Sequence, residues 1–287
     1  MRRPTDFRHA RASLEGLGIH YVREGQGAPV LLLHGWPGFW WEWHRNIGEL
    51  ARDFDVIVPD MRGFGESDKP PVERLDLYHM DHAVEDTRRL LDHLGIEKAA
   101  LVGHDFGAVL VHKFIRRYPS RVVKAAVINP IVPGFDELYL SSGNFHESWY
   151  AMFHMLDMAV DLVSSSRDAC RIYFRHFLNH WSHDRTLFDG DLLETYVDNY
   201  MKPGNIRGGF NFYRPPQPWD DLDRTISAMP MMFLQGLADP CIPSKWSDLV
   251  TRWYTNFSME YVAEAGHFLM LEKSELLNER LRRFFAS

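Results

Sequence analysis

The residues best suited to covalent chemistry gather around Asp105. It stands in Gly103-His104-Asp105-Phe106-Gly107, after the short apolar run Ala99-Ala100-Leu101-Val102 and before Ala108-Val109-Leu110-Val111-His112-Lys113-Phe114. The first run has the unbroken apolar character of a buried parallel strand, and the second is long enough for a helix. Strand, glycine-flanked turn and helix together form the layout in which a hydrolase exposes its nucleophile, ordinarily a serine. Glycines at 103 and 107 keep side chains away from the neighbouring strand and helix. A carboxylate at this point is a poor reagent for peptides or ordinary esters, because acyl exchange would give a reactive anhydride. It suits displacement at a saturated carbon, which leaves an alkyl ester on the protein. An Asp that merely caps the helix is the alternative. It is outweighed because the partners a nucleophile needs also occur downstream.

Such an ester needs a base to activate water. His267, in Ala265-Gly266-His267-Phe268, follows the last strand signal and so falls at the same carboxyl edge as Asp105. The base in turn needs an orienting acid. Asp239, in Gln235-Gly236-Leu237-Ala238-Asp239-Pro240, follows the preceding strand and meets that need, although alone it reads as a turn-forming Asp-Pro. His34-Gly35-Trp36-Pro37-Gly38 follows another strand, and its backbone can aim the Trp36 N–H at the turn, with the Phe106 N–H as second donor. Two such donors make an oxyanion hole for ester hydrolysis. His34 reads as a structural hydrogen-bonding residue. Arg62-Gly63-Phe64-Gly65 lacks the third glycine of a phosphate loop, and His176, His180 and His183, spaced along one helical face, lack a zinc-protease motif. No metal and no cofactor are expected.

The elements that must position these residues alternate. Strands are expected at Ala10 to Leu14, Gly18 to Arg23, Pro29 to Leu33, Asp55 to Val58, Ala99 to Gly103 and Val122 to Ile128, with a helix from His82 to Leu94. That alternation implies a mostly parallel sheet covered on both faces. From Pro130 to about Pro218 only helical periodicity appears, rich in Met, Phe, Trp and Tyr; strands return at Pro230 to Leu234 and Ser258 to Val262, before a closing helix to Phe285. A helical insertion over the carboxyl edge of a parallel sheet is a cap above the site. The expected division is a core of 1–130 and 219–287 with a cap of 131–218. Trp149, Met152, Phe153, Leu156, Ala159 and Val160 have the spacing of one amphipathic helix, explained singly by packing and collectively by an apolar pocket. The expected pocket lining is Trp36, Phe106, Trp149 and Phe153.

Composition narrows the partners. The 287 residues are 45% hydrophobic and 25% charged with a net charge of -7, as in a globular protein with a sizeable core. The acidic balance argues against nucleic acid, and no apolar stretch is long enough to span a bilayer. Cys170 and Cys241 cannot build a disulfide framework. With no signal peptide evident, a cytoplasmic location is expected. A homodimer is left open.

The chain resembles the α/β-hydrolase-fold epoxide hydrolases along nearly its whole length. His34-Gly35-Trp36-Pro37 matches their H-G-x-P oxyanion segment, continued by Trp40 and Trp43, and Gly103-His104-Asp105-Phe106-Gly107 matches their aspartate turn. Asp60-Met61-Arg62-Gly63-Phe64-Gly65-Glu66-Ser67-Asp68-Lys69-Pro70 resembles a turn of the wider fold. Asn211-Phe212-Tyr213-Arg214 is similar to the motif that supplies one of two ring-opening tyrosines, and Tyr150 stands where the other belongs, with Tyr139, Tyr173, Tyr196 and Tyr200 the alternatives. The resemblance implies a small apolar epoxide and water as substrates, with Asp105 as nucleophile, His267 as base, Asp239 as acid and Tyr150 and Tyr213 as donors. A phenol suits that task, since its pKa near ~10 keeps it protonated at neutral pH.

Three other readings share the scaffold. Haloalkane dehalogenases hold the departing halide with side-chain N–H donors, usually a Trp after the nucleophile, where this chain has Phe106. Fluoroacetate dehalogenases grip a carboxylate with arginines where this chain has Phe106 and Val109, and carry their acid one strand earlier, at Asn129. A non-catalytic ligand receptor is a third reading, disfavoured by the presence of nucleophile, base, acid and tyrosines together.

Overall fold

The computed structural model describes residues 3–214 and 221–286. Eight strands form one sheet: β1 (His9–Leu14), β2 (Leu17–Glu24), β3 (Ala28–Leu33), β4 (Phe54–Pro59), β5 (Ala99–His104), β6 (Val122–Ile128), β7 (Met231–Gly236) and β8 (Phe257–Val262). Their order is β1-β2-β4-β3-β5-β6-β7-β8. β1 pairs antiparallel with β2, and β2 antiparallel with β4; every other pairing is parallel. The parallel strands β4, β5 and β7 are buried along their whole length, as an apolar run covered on both faces must be.

Helices α1 (His44–Leu50), α2 (Met80–His93), α3 (Phe106–Arg117), α10 (Leu269–Glu272) and α11 (Ser274–Ala286) accompany the sheet. α2 starts two residues before the periodicity suggests, because the His79 side chain accepts a hydrogen bond from the Asp81 N–H and caps the first turn. Between β6 and β7 lie α4 (Phe135–Tyr139), α5 (Phe145–His154), α6 (Asp157–Ser164), α7 (Arg167–His180), α8 (Asp191–Tyr200) and α9 (Asn205–Asn211). Among the described residues this insertion is helix and loop, apart from the single bridge Ser227–Tyr254 just before β7.

Two local expectations need correction. The six-residue apolar stripe is not one helix: the chain turns at Met155 and Leu156, so α5 and α6 present different faces. Ala159 and Val160 are buried, whereas Trp149, Met152 and Leu156 face outward. An i, i+3, i+4 stripe extrapolated across a break no longer lies on one side. The three histidines do not share a helical face either, since α7 ends at His180 and His183 lies beyond it. His180 is instead held by Glu147, at 2.8 Å.

The strand order reverses beside β3, whose neighbours are β4 and β5. Loops leaving β3 and β5 therefore open a crevice at their carboxyl ends, where open α/β sheets bind ligands. Leu33 is in register with Gly103, which sets the His34–Trp36 loop directly against Asp105. Close approach of α3 to β3 depends on Gly107: a Cβ there would collide with the Leu33 carbonyl. At Gly143, in contrast, a Cβ would meet nothing within 4 Å. Gly107→Ala should lower unfolding free energy by about 1–3 kcal/mol in chemical denaturation, the usual penalty of overpacking, while Gly143→Ala stays within about 0.5 kcal/mol. Equal effects would show that this approach does not constrain the fold.

Candidate active site

Asp105 is 5% exposed and adopts φ 52° and ψ -117°, a strained conformation for a residue with a Cβ. It occupies the N-cap position of α3 without making a capping side-chain hydrogen bond. Its Oδ1 instead accepts a hydrogen bond from the Trp36 N–H at 2.8 Å, and the Phe106 N–H also donates to the carboxylate. The carboxyl group thus lies where the two backbone donors converge. Its other oxygen, Oδ2, is 3.9 Å from Nε2 of His267.

His267 is fully buried, and its Nδ1 lies 2.9 Å from Oδ2 of Asp239. The other oxygen of Asp239 accepts from the Cys241 N–H at 2.8 Å and the Ile242 N–H at 3.0 Å, so the acid is fixed from both sides. That bond pattern leaves Nε2 of His267 directed at the nucleophile, given an Nδ1–H tautomer. Asn129, at the end of β6 with φ 49°, does not take the acid's place. Its amide nitrogen donates to the His267 carbonyl at 2.9 Å, and its oxygen accepts from the Gly236 N–H at 2.9 Å, tying the acid and base loops together.

The insertion closes over these groups with aromatic rings. Trp36 is fully buried; its indole stacks on Tyr150 at 5.3 Å and meets Tyr213 edge-on at 5.7 Å, while the Cδ1–Nε1 edge of the ring lies close to Gly209. Phe106 packs on Tyr213 at 5.1 Å. Tyr150, from α5, and Tyr213, just after α9, approach each other at 5.5 Å. The Tyr150 hydroxyl lies 3.6 Å from Cys241 Sγ, and the phenols of Tyr139, Tyr150 and Tyr213 influence one another electrostatically. Of the alternative tyrosines, Tyr173 bonds to His154, Tyr196 packs on Phe39 and Phe188, and Tyr200 donates to the Pro37 carbonyl. Trp149 is 41% exposed and packs on Phe177, and the half-buried Phe153 packs on Tyr173 and His154, so these two form an outer layer one ring removed from Trp36, which Phe177 and His154 meet directly.

Burial dominates the electrostatics. It raises the Asp105 carboxyl above its ordinary pKa, opposed by the His267 charge and the Trp36 and Phe106 N–H groups. It pushes Tyr150 and Tyr213 well above the ordinary phenol value, so both hold their protons at neutral pH. Burial alone would lower His267, yet Asp239, through charge and hydrogen bond, and Asp105, through charge, bring it above the ordinary value.

Sequence reasoning passed over four buried polar residues here. Glu42, a lone acid between Trp41 and Trp43, lies 3.4 Å from Nδ1 of His104, and both are fully buried. His154 stacks on Phe210 at 3.8 Å and meets Tyr213 at 4.5 Å; burial keeps it neutral. Cys241 completes the set. An acid inside an aromatic run was the one signal that could have pointed to Glu42. Elsewhere, His79, Asp81 and Asp221 bring possible ligand atoms within 4.8 Å of one another, but Lys113 already bridges the two carboxylates.

Residues 28–274 match the α/β hydrolase fold family. A soluble epoxide hydrolase of Corynebacterium sp. (strain C12) is 29% identical over 98% of both chains. Mouse epoxide hydrolase 3 is 32% identical, covering 88% of this chain and 70% of its own. The ligand-free structure of the epoxide hydrolase CorEH superposes with a TM-score of 0.87 at 27% identity, over 98% of this chain and 99% of that one.

The acid–base pair sets a pH dependence. His267 accepts a proton only when neutral, so its step fails below its pKa and is complete above it. That pKa is raised in the resting protein chiefly by Asp239 and further by the Asp105 charge; the ester removes the latter, so the acid limb of this step reports on Asp239. Asp239→Asn removes the main raising influence; the limb should move down while the rate falls about 10²-fold or more. A pH profile of single-turnover product release measures both, and a limb that stays in place would detach the His267 proton from Asp239.

Proposed function

The chain belongs to the epoxide hydrolases of the α/β hydrolase fold, and we propose that it converts a small apolar epoxide and water to a vicinal diol through an alkyl ester on Asp105. One arrangement carries this reading. A buried carboxylate, held by the Trp36 N–H, stands beside a histidine–aspartate pair and beneath two protonated phenols.

In the first half, an Asp105 oxygen attacks a ring carbon and the carbon–oxygen bond opposite breaks. The opening oxygen would become an alkoxide, a poor leaving group in an apolar chamber. Tyr150 and Tyr213 donate to it as charge develops. In the second half, His267 Nε2 takes a proton from water, whose oxygen attacks the Asp105 carbonyl carbon. The Trp36 and Phe106 N–H groups hold the resulting oxyanion. Collapse then breaks the bond to the diol oxygen, which takes the proton back from His267; the second proton of the water, left on the Asp105 carboxyl, goes to the oxygen anion formed on ring opening, so that the carboxylate and both phenols are restored. No cofactor enters this sequence.

The dehalogenase readings fit less well. Phe106 offers no side-chain donor, so the Trp36 indole N–H, buried without a hydrogen-bond partner among the described residues, is not matched by a donor from position 106 in the pair that a departing halide needs. Val109, where an arginine would grip a substrate carboxylate, is a fully buried apolar residue. The division into a core of 1–130 and 219–287 and a cap of 131–218 is supported by the helices between β6 and β7; its second boundary lies outside the described residues. No helix among the described residues is long and apolar enough to cross a membrane. Two buried free thiols support a cytoplasmic setting.

A side-by-side screen of epoxides, haloalkanes and fluoroacetate, scoring diol, halide and fluoride, tests the reading. Halide or fluoride release with no diol from any epoxide would overturn it. His267→Gln should still be alkylated, so intact-protein mass should rise by that of the epoxide and stay there. Failure to trap an adduct in an otherwise active enzyme would point to direct attack of water on the ring. Tyr213→Phe and Tyr150→Phe should each slow ring opening by about 10²–10³-fold, near 2.7–4 kcal/mol, with little loss of stability. Wild-type ring opening in Tyr150→Phe alone would transfer its role to Tyr139, the neighbouring phenol.

A further inference from the structure

Behind the nucleophile lies a second carboxyl that the steps above do not use. Glu42 belongs to the 3-10 turn Trp40–Trp43 and is fully buried. Its Oε2 occupies the space that a side chain at Gly38 would fill, beside the Gly35 carbonyl of the oxyanion loop. Gly35 in turn packs against the Asp105 side chain so tightly that a Cβ there would collide with it. Oε1 lies 3.4 Å from Nδ1 of His104. No other side chain among the described residues hydrogen-bonds to this carboxyl.

His104 links the two halves of the site. Its ring lies 4.5 Å from that of His267, whose Nε2 is buried and has no hydrogen-bond partner among the described residues. Glu42, His104 and His267 thus line one buried wall around Asp105, with buried polar atoms that no side chain among the described residues satisfies. Buried polar groups of this kind are met by protein or by ordered water, and water is the second substrate here.

We propose that the Glu42 carboxyl, backed by His104, holds the water that hydrolyses the Asp105 ester. This rests on the epoxide hydrolase reading and adds the group that aims its second step. Burial first, and then the Asp105 charge, push Glu42 well above the carboxylate range, while the Gly35 backbone opposes them. Burial and the His267 charge push His104 well below the usual histidine value, so the proton of the pair sits on the carboxyl. A neutral carboxyl offers a carbonyl oxygen as acceptor. The water gives one hydrogen bond to that oxygen and the other to Nε2 of His267, which leaves an oxygen lone pair for the Asp105 carbonyl carbon. As the carbon–oxygen bond forms, the proton passes to His267, and it later leaves with the diol. Glu42 neither gains nor loses a proton.

Single-turnover rapid quench with intact-protein mass spectrometry resolves ring opening from ester hydrolysis in the full chain. Glu42→Leu should open the epoxide at the wild-type rate but hydrolyse the ester about 10²-fold more slowly, so that the alkylated protein accumulates. Glu42→Gln keeps a carbonyl acceptor and should hydrolyse within about threefold of wild type. Wild-type hydrolysis by Glu42→Leu, equal slowing of both steps, or a Gln variant as slow as the Leu variant would each overturn the proposal. Should Glu42→Leu fail to fold in thermal unfolding, Glu42→Asp, whose carboxyl is one methylene shorter, should show the same selective slowing, and its absence overturns the proposal equally. His267→Gln separates the two levels: no adduct on it removes the ester reading itself, whereas a trapped adduct with unimpaired Glu42→Leu removes the Glu42 role alone.

Discussion

An ionised carboxylate kept ready for attack while nearly out of reach of water is the constraint on which the site depends. Asp105 is 5% exposed, and burial by itself favours its unreactive protonated form. Three things oppose that pressure: the Trp36 N–H, the Phe106 N–H and the charge of His267. The start of α3 adds the positive end of a helix dipole. The Phe106 N–H and the helix start belong to the Asp105 turn, but the Trp36 N–H and the His267 charge are brought to it from distant parts of the chain. The Trp36 donor is in place because Leu33 pairs with Gly103, and α3 comes close enough because position 107 has no side chain. The strained φ of Asp105 is the local cost of holding its side chain at that convergence.

The cap is bound to the same loops that the chemistry uses. Tyr200 donates to the Pro37 carbonyl on the oxyanion loop, and the His267 N–H donates to the Trp181 carbonyl of the cap at 2.8 Å. Trp36 serves both layers, giving its backbone N–H to the nucleophile and its indole to the aromatic packing against Tyr150, Tyr213 and Trp181. Such packing excludes water from the first half-reaction and keeps the phenols protonated. It also makes the second half-reaction dependent on water admitted at a defined place. A dry chamber that must nonetheless use one water is the condition that gives buried groups such as Glu42 and His104 a role.

Much of this was legible in the sequence because parallel strands are buried on both faces and read as unbroken apolar runs. Asp105 and Asp239 each follow such a run, and His267 follows β8, an edge strand marked by alternation instead, so a shared sheet edge could be inferred without knowing the strand order. Side chains whose roles depend on register were not legible. Asn129 reads as a plain residue after β6, yet the alignment of β6 with β7 puts its amide between Gly236 and the His267 loop. Glu42 was hidden by its chemistry, since an acid near a turn ordinarily points to solvent. The stripe from Trp149 to Val160 failed for another reason: periodicity does not reveal the break at Met155 and Leu156, which separates the outward Trp149 and Met152 of α5 from the buried Ala159 and Val160 of α6.

The same burial that preserves the nucleophile also discriminates between leaving groups. A halide departing from carbon takes a full negative charge with it and needs donors fixed around it, because a dry, ring-lined chamber stabilises free anions poorly. At position 106 a phenyl ring packs on Tyr213 and supplies no N–H donor to pair with the Trp36 indole. An epoxide oxygen stays attached to the substrate as it opens, at a position set by the attacked carbon. Two phenols coupled to each other and fixed by the packing of α5 and the end of α9 can meet that oxygen without an ion having to leave the chamber. The chamber is therefore matched to a reaction in which the developing charge is tethered, and ring opening is that reaction.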